Sequence, residues 1–141
     1  MRVDMYVIED DNPKALFHVA VRLLEKAYKQ NLRALVLCAH EEEARALDDY
    51  LWTYQATSFL PHSLLDEIPE NLNPPIQITA NNDAPGASFD LVLNLSDDIP
   101  NTNITCTRLL DLVPAHAKEA GRTRYRAYRE QGFTLNNHKI K

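Results

Sequence analysis

The chain has 141 residues, 45% hydrophobic and 25% charged, with a formal net charge of −5. That length and balance excludes a disordered chain and fits one domain over 1–141 with a sizeable core, while the negative charge discourages general adsorption to nucleic acid, so any anion binding must come from a local basic patch. No charged leader precedes a long apolar run, so neither a secretory signal nor a membrane span is expected, and the expected location is cytoplasmic.

The opening RVDMYVI is rich in β-branched and aromatic side chains and predicts a strand over Val3–Ile8. A helix follows, with Asp11 or Asn12 as N-cap and Pro13 at its first position. Its apolar residues Leu16, Val19, Ala20, Leu23, Leu24 and Ala27 recur at helical spacing. From about Leu32, LRALVLCA is a short continuous apolar run, as in a strand covered on both faces, and HEEEARALDDYLWTY reads as a second helix with acids in its first turn. The stretch SFLPHSLLDEIPENLNPP reads as an ordered loop with one helical turn at Leu64 to Ile68.

Two further short strands, IQIT and FDLVLNL, are separated by the turn-rich ANNDAPGAS. TRLLDLV, ending at Val113, reads as the last strand; Pro114 leads into a final helix from about Ala115 to Gln131, which Gly132 stops. Strands alternating with helices imply a three-layer, Rossmann-like α/β fold: an open, mostly parallel sheet with helices on both faces.

Such a sheet invites a nucleotide at its carboxyl edge, but the required glycine-rich loop is missing. The first strand-to-helix turn is IEDDNP, and the whole chain holds three glycines, Gly86, Gly121 and Gly132. No cofactor is expected. The histidines are scattered, with neither HExxH nor a Cys/His cluster, so no metal is expected. Cys38 and Cys106 lie far apart and outside any CxxC motif, and Cys38 with His40 has no evident third group to orient a nucleophile; a buried thiol and a surface histidine fit better. The acidic SDDIP at Ser96–Pro100 reads as a solvated loop.

Charge is unevenly spread. From Lys118 onward the chain has seven basic and two acidic side chains, whereas the preceding residues have eight basic and eighteen acidic. At about 100° per residue, Lys118, Arg122, Arg126 and Arg129 fall with Tyr125 on a helix face roughly 100° wide. Ala117, Ala120 and Ala127 lie opposite, and this side is expected to pack on the sheet. Like charges at this spacing repel by a few tenths of a kcal/mol per pair, with no evident local compensation, so the stripe calls for an anionic partner: phosphates or the carboxylates of a peptide. A second feature is aromatic. Trp52, the sole tryptophan, stands near Tyr54, Phe59, Leu60 and Pro61 where a helix runs into a proline-containing loop.

Leu51–Trp52, Ser58–His62 (SFLPH) and Arg124–Asn136 (RYRAYREQGFTLN) together resemble the chi subunit family of bacterial DNA polymerase III. The resemblance implies a non-catalytic accessory subunit of the clamp-loader complex. It would pair with the psi subunit and bind the acidic C-terminal tail of single-stranded DNA-binding protein (SSB). For the tail it points to Arg122 and Tyr125 as the central pair, with Lys118, Arg126, Gly132 and Phe133 nearby. For psi it points to Trp52 and Phe59, with Pro61 and His62 adjacent. Direct single-stranded nucleic-acid binding through the basic helix is the alternative from the residues alone, and a degenerate nucleotide hydrolase is a third possibility by fold analogy.

Overall fold

The computed structural model describes residues 2–53, 60–68, 73–81, 88–100 and 105–140. Its strands are β1 (Arg2–Ile8), β2 (Ala34–Leu37), β3 (His62–Leu64), β4 (Ile76–Thr79), β5 (Ser88–Asn94), β6 (Thr105–Val113) and β7 (Thr134–Ile140). The α-helices are α1 (Ala15–Lys29), α2 (Glu41–Thr53) and α3 (Lys118–Glu130), with single 3-10 turns at Leu65–Glu67 and Ala115–Ala117.

The seven strands form one sheet in the order β3-β4-β2-β5-β6-β1-β7, and every pair is parallel. Side-chain alternation sorts the apolar residues into two layers. Ile8, Val36, Ile76, Ile78, Leu91, Leu93, Leu110 and Leu112 pack under α1 and α2. Val3, Met5, Leu35, Leu37, Phe89, Val92, Leu109 and Val113 pack on the other side with Tyr128 of α3. β2 is buried at all four positions because both of its faces are covered, which is why it reads as an unbroken apolar run. The result is an open three-layer, Rossmann-like α/β fold.

Two strands depart from expectation. TRLLDLV is not the last strand: β7 follows α3 and pairs with β1 from Arg2↔Thr134 to Ile8↔Ile140. The segment at His62–Leu64 is a short edge strand on β4 rather than loop. The helix starts differ in detail. α1 begins at Ala15, later than expected, with Pro13 in the preceding turn; the residue at the cap position is Lys14, whose side chain makes no capping bond, and Asn12 Oδ1 instead accepts from the Lys14 N–H at 2.9 Å within that turn. At α2 the cap is His40, whose Nδ1 accepts from the Glu43 N–H at 3.1 Å while Glu43 Oε1 accepts from the Ala39 N–H at 3.0 Å.

α3 ends as expected at Gly132, whose φ of 81° favours glycine. Gly132 N–H donates to the Arg129 carbonyl and Phe133 N–H to the Tyr128 carbonyl, and the Phe133 ring lies 6.4 Å from that of Tyr128. This is a Schellman stop with its apolar clasp. Gly132→Ala is expected to lower stability by about 1 kcal/mol through the left-handed backbone, read as a lower urea midpoint with unchanged slope.

Candidate functional site

The face of α3 that meets the sheet is not the alanine side. Gly121, Arg124 and Tyr128 are buried, whereas Ala117, Ala120 and Ala127 are only partly so. Arg124 looks like surface charge in the sequence, but β6 supplies it with a buried carboxylate. Its Nε and Nη2 donate to Asp111 Oδ2 and Oδ1 at 2.8 and 2.9 Å. Tyr128 Oη donates to Asp111 Oδ2 at 2.6 Å, and Asn94 Nδ2 adds a longer bond at 3.3 Å. Burial raises the Asp111 carboxyl; the Arg124 bidentate pair, the phenol and the amide oppose it. Burial and the Asp111 charge push the Tyr128 hydroxyl well up, so it remains a donor. The same cluster grips SDDIP through its backbone: Asn94 Nδ2 reaches the Asp98 carbonyl at 2.8 Å and Arg124 Nη1 the Asp97 carbonyl at 3.3 Å.

With α3 anchored in this way, its remaining face borders a pocket of about 360 Å³. The parallel register builds the floor: Met5 lies beside Asn137, and Val7 beside both Val113 and Lys139. Lys118, Gly121, Arg122 and Tyr125 form the helical wall, with Glu9 at the rim. At Gly121 the helix comes so close to β6 that a Cβ would sit 2.6 Å from Val113 Cγ1. Lys118 Nζ meets Glu9 Oε2 at 2.9 Å and Arg122 Nη1 meets Glu119 Oε1 at 2.7 Å, so two of the stripe's cations have carboxylate neighbours after all. The Arg129 guanidinium lies 6.0 Å from the Tyr125 ring centre.

Of the residues expected to act together here, Lys118, Arg122 and Tyr125 line the pocket. Arg126 is exposed outside its lining, and Gly132 and Phe133 form the helix stop. Met5, Val7, Asn137 and Lys139 were not expected. Helical periodicity could reveal one wall, but the other depends on strand register.

The second feature lies at the opposite edge of the sheet. Trp52, on the last turn of α2, is 59% exposed, the large exposed hydrophobic among the described residues. Its ring is 4.9 Å from that of His62 in β3. His62 is itself buried: Nδ1 lies 2.6 Å from the Leu60 carbonyl and Nε2 3.3 Å from Asp48 Oδ1. It supports the indole from below instead of presenting a surface. Pro61 is partly buried beside it, and Phe59 lies outside the described residues. With β3 and β7 at the two ends of seven strands, the edges are roughly 29 Å apart at the usual strand spacing.

A larger hollow, about 650 Å³, sits at the carboxyl ends of β2 and β4, where α/β enzymes place a nucleotide. Among the described residues of its polar wall, His40 caps α2 and Arg45 pairs with Glu41 and Glu67, so both are already engaged. Cys38 is buried and its thiol pushed up, first by burial and then by Glu43, away from the reactive thiolate. Among the described residues no His/Cys/Asp/Glu group could hold a metal ion, and no helix is long and apolar enough to cross a membrane.

Residues 1–136 match the family described as DNA polymerase III chi subunit, HolC. The chain belongs to the DNA polymerase III chi subunit family. It is 37% identical over 142 residues to DNA polymerase III subunit chi of Pseudomonas aeruginosa, covering 99% of this chain and 96% of that one. It is 28% identical to subunit chi of Escherichia coli, with 93% and 92% covered, and 26% identical to that of Haemophilus influenzae, with 96% and 94% covered. Membership of the chi family identifies the chain as an accessory subunit of a replicative polymerase.

Proposed function

We propose that the chain is a non-catalytic chi subunit that receives the acidic C-terminal tail of single-stranded DNA-binding protein in the α3 pocket and the psi subunit at Trp52. It thereby links the clamp loader to coated single strands in the cytoplasm. One observation carries the tail reading: Lys118, Arg122 and Tyr125 converge on an apolar floor of Met5, Val7 and Val113. Arginine and lysine suit the tail's carboxylates, and the apolar floor beside Tyr125 suits an apolar side chain at its end. The exposed pairs that Lys118 and Arg122 make with Glu9 and Glu119 contribute only about 0–1 kcal/mol each, so exchanging them for the tail's carboxylates costs little. Affinity near micromolar, about −8 kcal/mol, and weaker in high salt, fits that exchange. The single sheet from Arg2 to Ile140 supports one domain throughout.

The test separates the two surfaces. Arg122→Ala is expected to weaken an SSB-tail peptide about 10- to 100-fold, the loss of a charged hydrogen-bonding group, while psi binding holds. Trp52→Ala is expected to weaken psi by about 30-fold or more and leave the peptide unaffected. Calorimetric titrations of both variants against both partners decide it, and equal loss of both activities in either variant would refute the two-surface reading. Titration with a bare oligonucleotide, giving tight binding at moderate salt, would favour direct single-strand recognition instead.

A further inference from the structure

β7 ends the sheet on the side of the pocket. The Glu9 N–H donates to the Ile140 carbonyl at 2.7 Å, which fixes the direction of every main-chain group along the strand. Backbone polarity alternates from one residue to the next, so Thr134, Asn136, His138 and Ile140 turn inward to β1. Leu135, Asn137 and Lys139 turn their N–H and C=O groups outward, and among the described residues no strand pairs with them. Edge strands are commonly blunted by proline, a bulge or brevity; β7 is seven residues long, contains no proline and pairs with β1 in unbroken register.

Two of these three residues connect this edge to the pocket. Asn137 and Lys139 point their side chains into its lining while their main-chain groups face out, so a peptide leaving the pocket past them meets the edge without a gap. The edge also has a sign: Lys139 stands on it, and Lys141 follows in the sequence. Main-chain pairing supplies affinity with little sequence demand, which suits a run of acidic residues carrying no apolar anchor of their own.

We propose that β7 is a pairing edge for an extended acidic peptide, whose residues upstream of the pocket-bound terminus add as an eighth strand beside Leu135, Asn137 and Lys139. This rests on the acidic-tail reading above and extends it from the terminal residues to the segment before them.

Two synthetic peptides test it: one carrying only the terminal residues that fill the pocket, and one extended upstream by several aspartates. Amide hydrogen exchange is followed by NMR on the full chain, with the Tyr125 resonance reporting pocket occupancy. The extended peptide is expected to slow exchange at Leu135, Asn137 and Lys139 by about tenfold or more, whereas the short one shifts Tyr125 without that protection. Asn137→Pro removes one outward N–H but none of the bonds to β1. It is expected to weaken the extended peptide about five- to tenfold more than the short one.

Occupancy of the pocket by the extended peptide with unchanged exchange at the three edge amides would overturn the proposal, and that measurement needs no variant. Protection without peptide that grows with protein concentration would overturn it in favour of a second copy of the chain on this edge. If neither peptide shifts Tyr125, the acidic-tail reading fails first and the edge proposal with it.

Discussion

Asp111→Ala is expected to lower the unfolding free energy by about 3–5 kcal/mol, a large share of the roughly 5–15 kcal/mol that holds a domain together. The carboxylate is fully buried, and its removal leaves the Arg124 guanidinium, 4% exposed, without its two charged hydrogen bonds. Tyr128 loses its 2.6 Å acceptor at the same time. A transfer-energy estimate for a truncated surface aspartate would predict almost nothing, so the size of the effect distinguishes a core ion pair from a surface one. The double replacement Asp111→Leu with Arg124→Met is expected to recover most of the loss, because no uncompensated charge remains. Urea unfolding of the single and double variants measures both, and a single variant within about 0.5 kcal/mol of the parent would show that the cluster contributes little.

Gly121→Ala is expected to act mainly on the pocket. An alanine gains up to about 1 kcal/mol of helix propensity, but its Cβ would fall 2.6 and 2.9 Å from the Val113 methyl groups. Val113 is β-branched and 2% exposed and so has little room to turn aside; overpacking of this kind costs about 1–3 kcal/mol. Strain therefore exceeds propensity, and α3 moves outward or Val113 is displaced. Gly121 and Val113 both line the pocket, so either adjustment reshapes its base. Affinity for the acidic peptide is expected to fall about tenfold with its salt dependence preserved, since no charge has been removed, whereas Arg122→Ala should flatten that dependence. Titrations at two ionic strengths separate the variants. Unchanged affinity and unchanged melting in Gly121→Ala would mean the close approach is unimportant.

Most of the layer arrangement was legible because it is written in apolar periodicity. Leu24 and Ala27 mark α1, the fully buried Val36 and Leu37 mark β2, and Gly132 marks the stop of α3. β7 was hidden because TLNNHKI carries asparagines, histidine and lysine, residues a solvent-facing edge tolerates but strand propensity disfavours. His62–Leu64 was obscured by Pro61 and its length of three residues. In the site, Lys118, Arg122 and Tyr125 followed from helical spacing, but Met5, Val7, Asn137 and Lys139 come from strands far apart in sequence. Arg124 has no legible role in the sequence for another reason: its partner, Asp111, lies on a different element, and no local spacing joins the two.

The position of β1 has a consequence for how the chain folds. Both of its neighbours, β6 and β7, come from the far end of the sequence, and the bonds that Arg108 and His138 make to Asp4 span 104 and 134 residues. Until residues 105–140 have left the ribosome, β1 has neither flanking strand, and its apolar Val3, Met5 and Ile8 lack their native cover. High contact order of this kind slows folding and leaves unpaired strand edges exposed to aggregation, so the burden of protecting the nascent chain falls on its longest-lived unpartnered segment, the one made first.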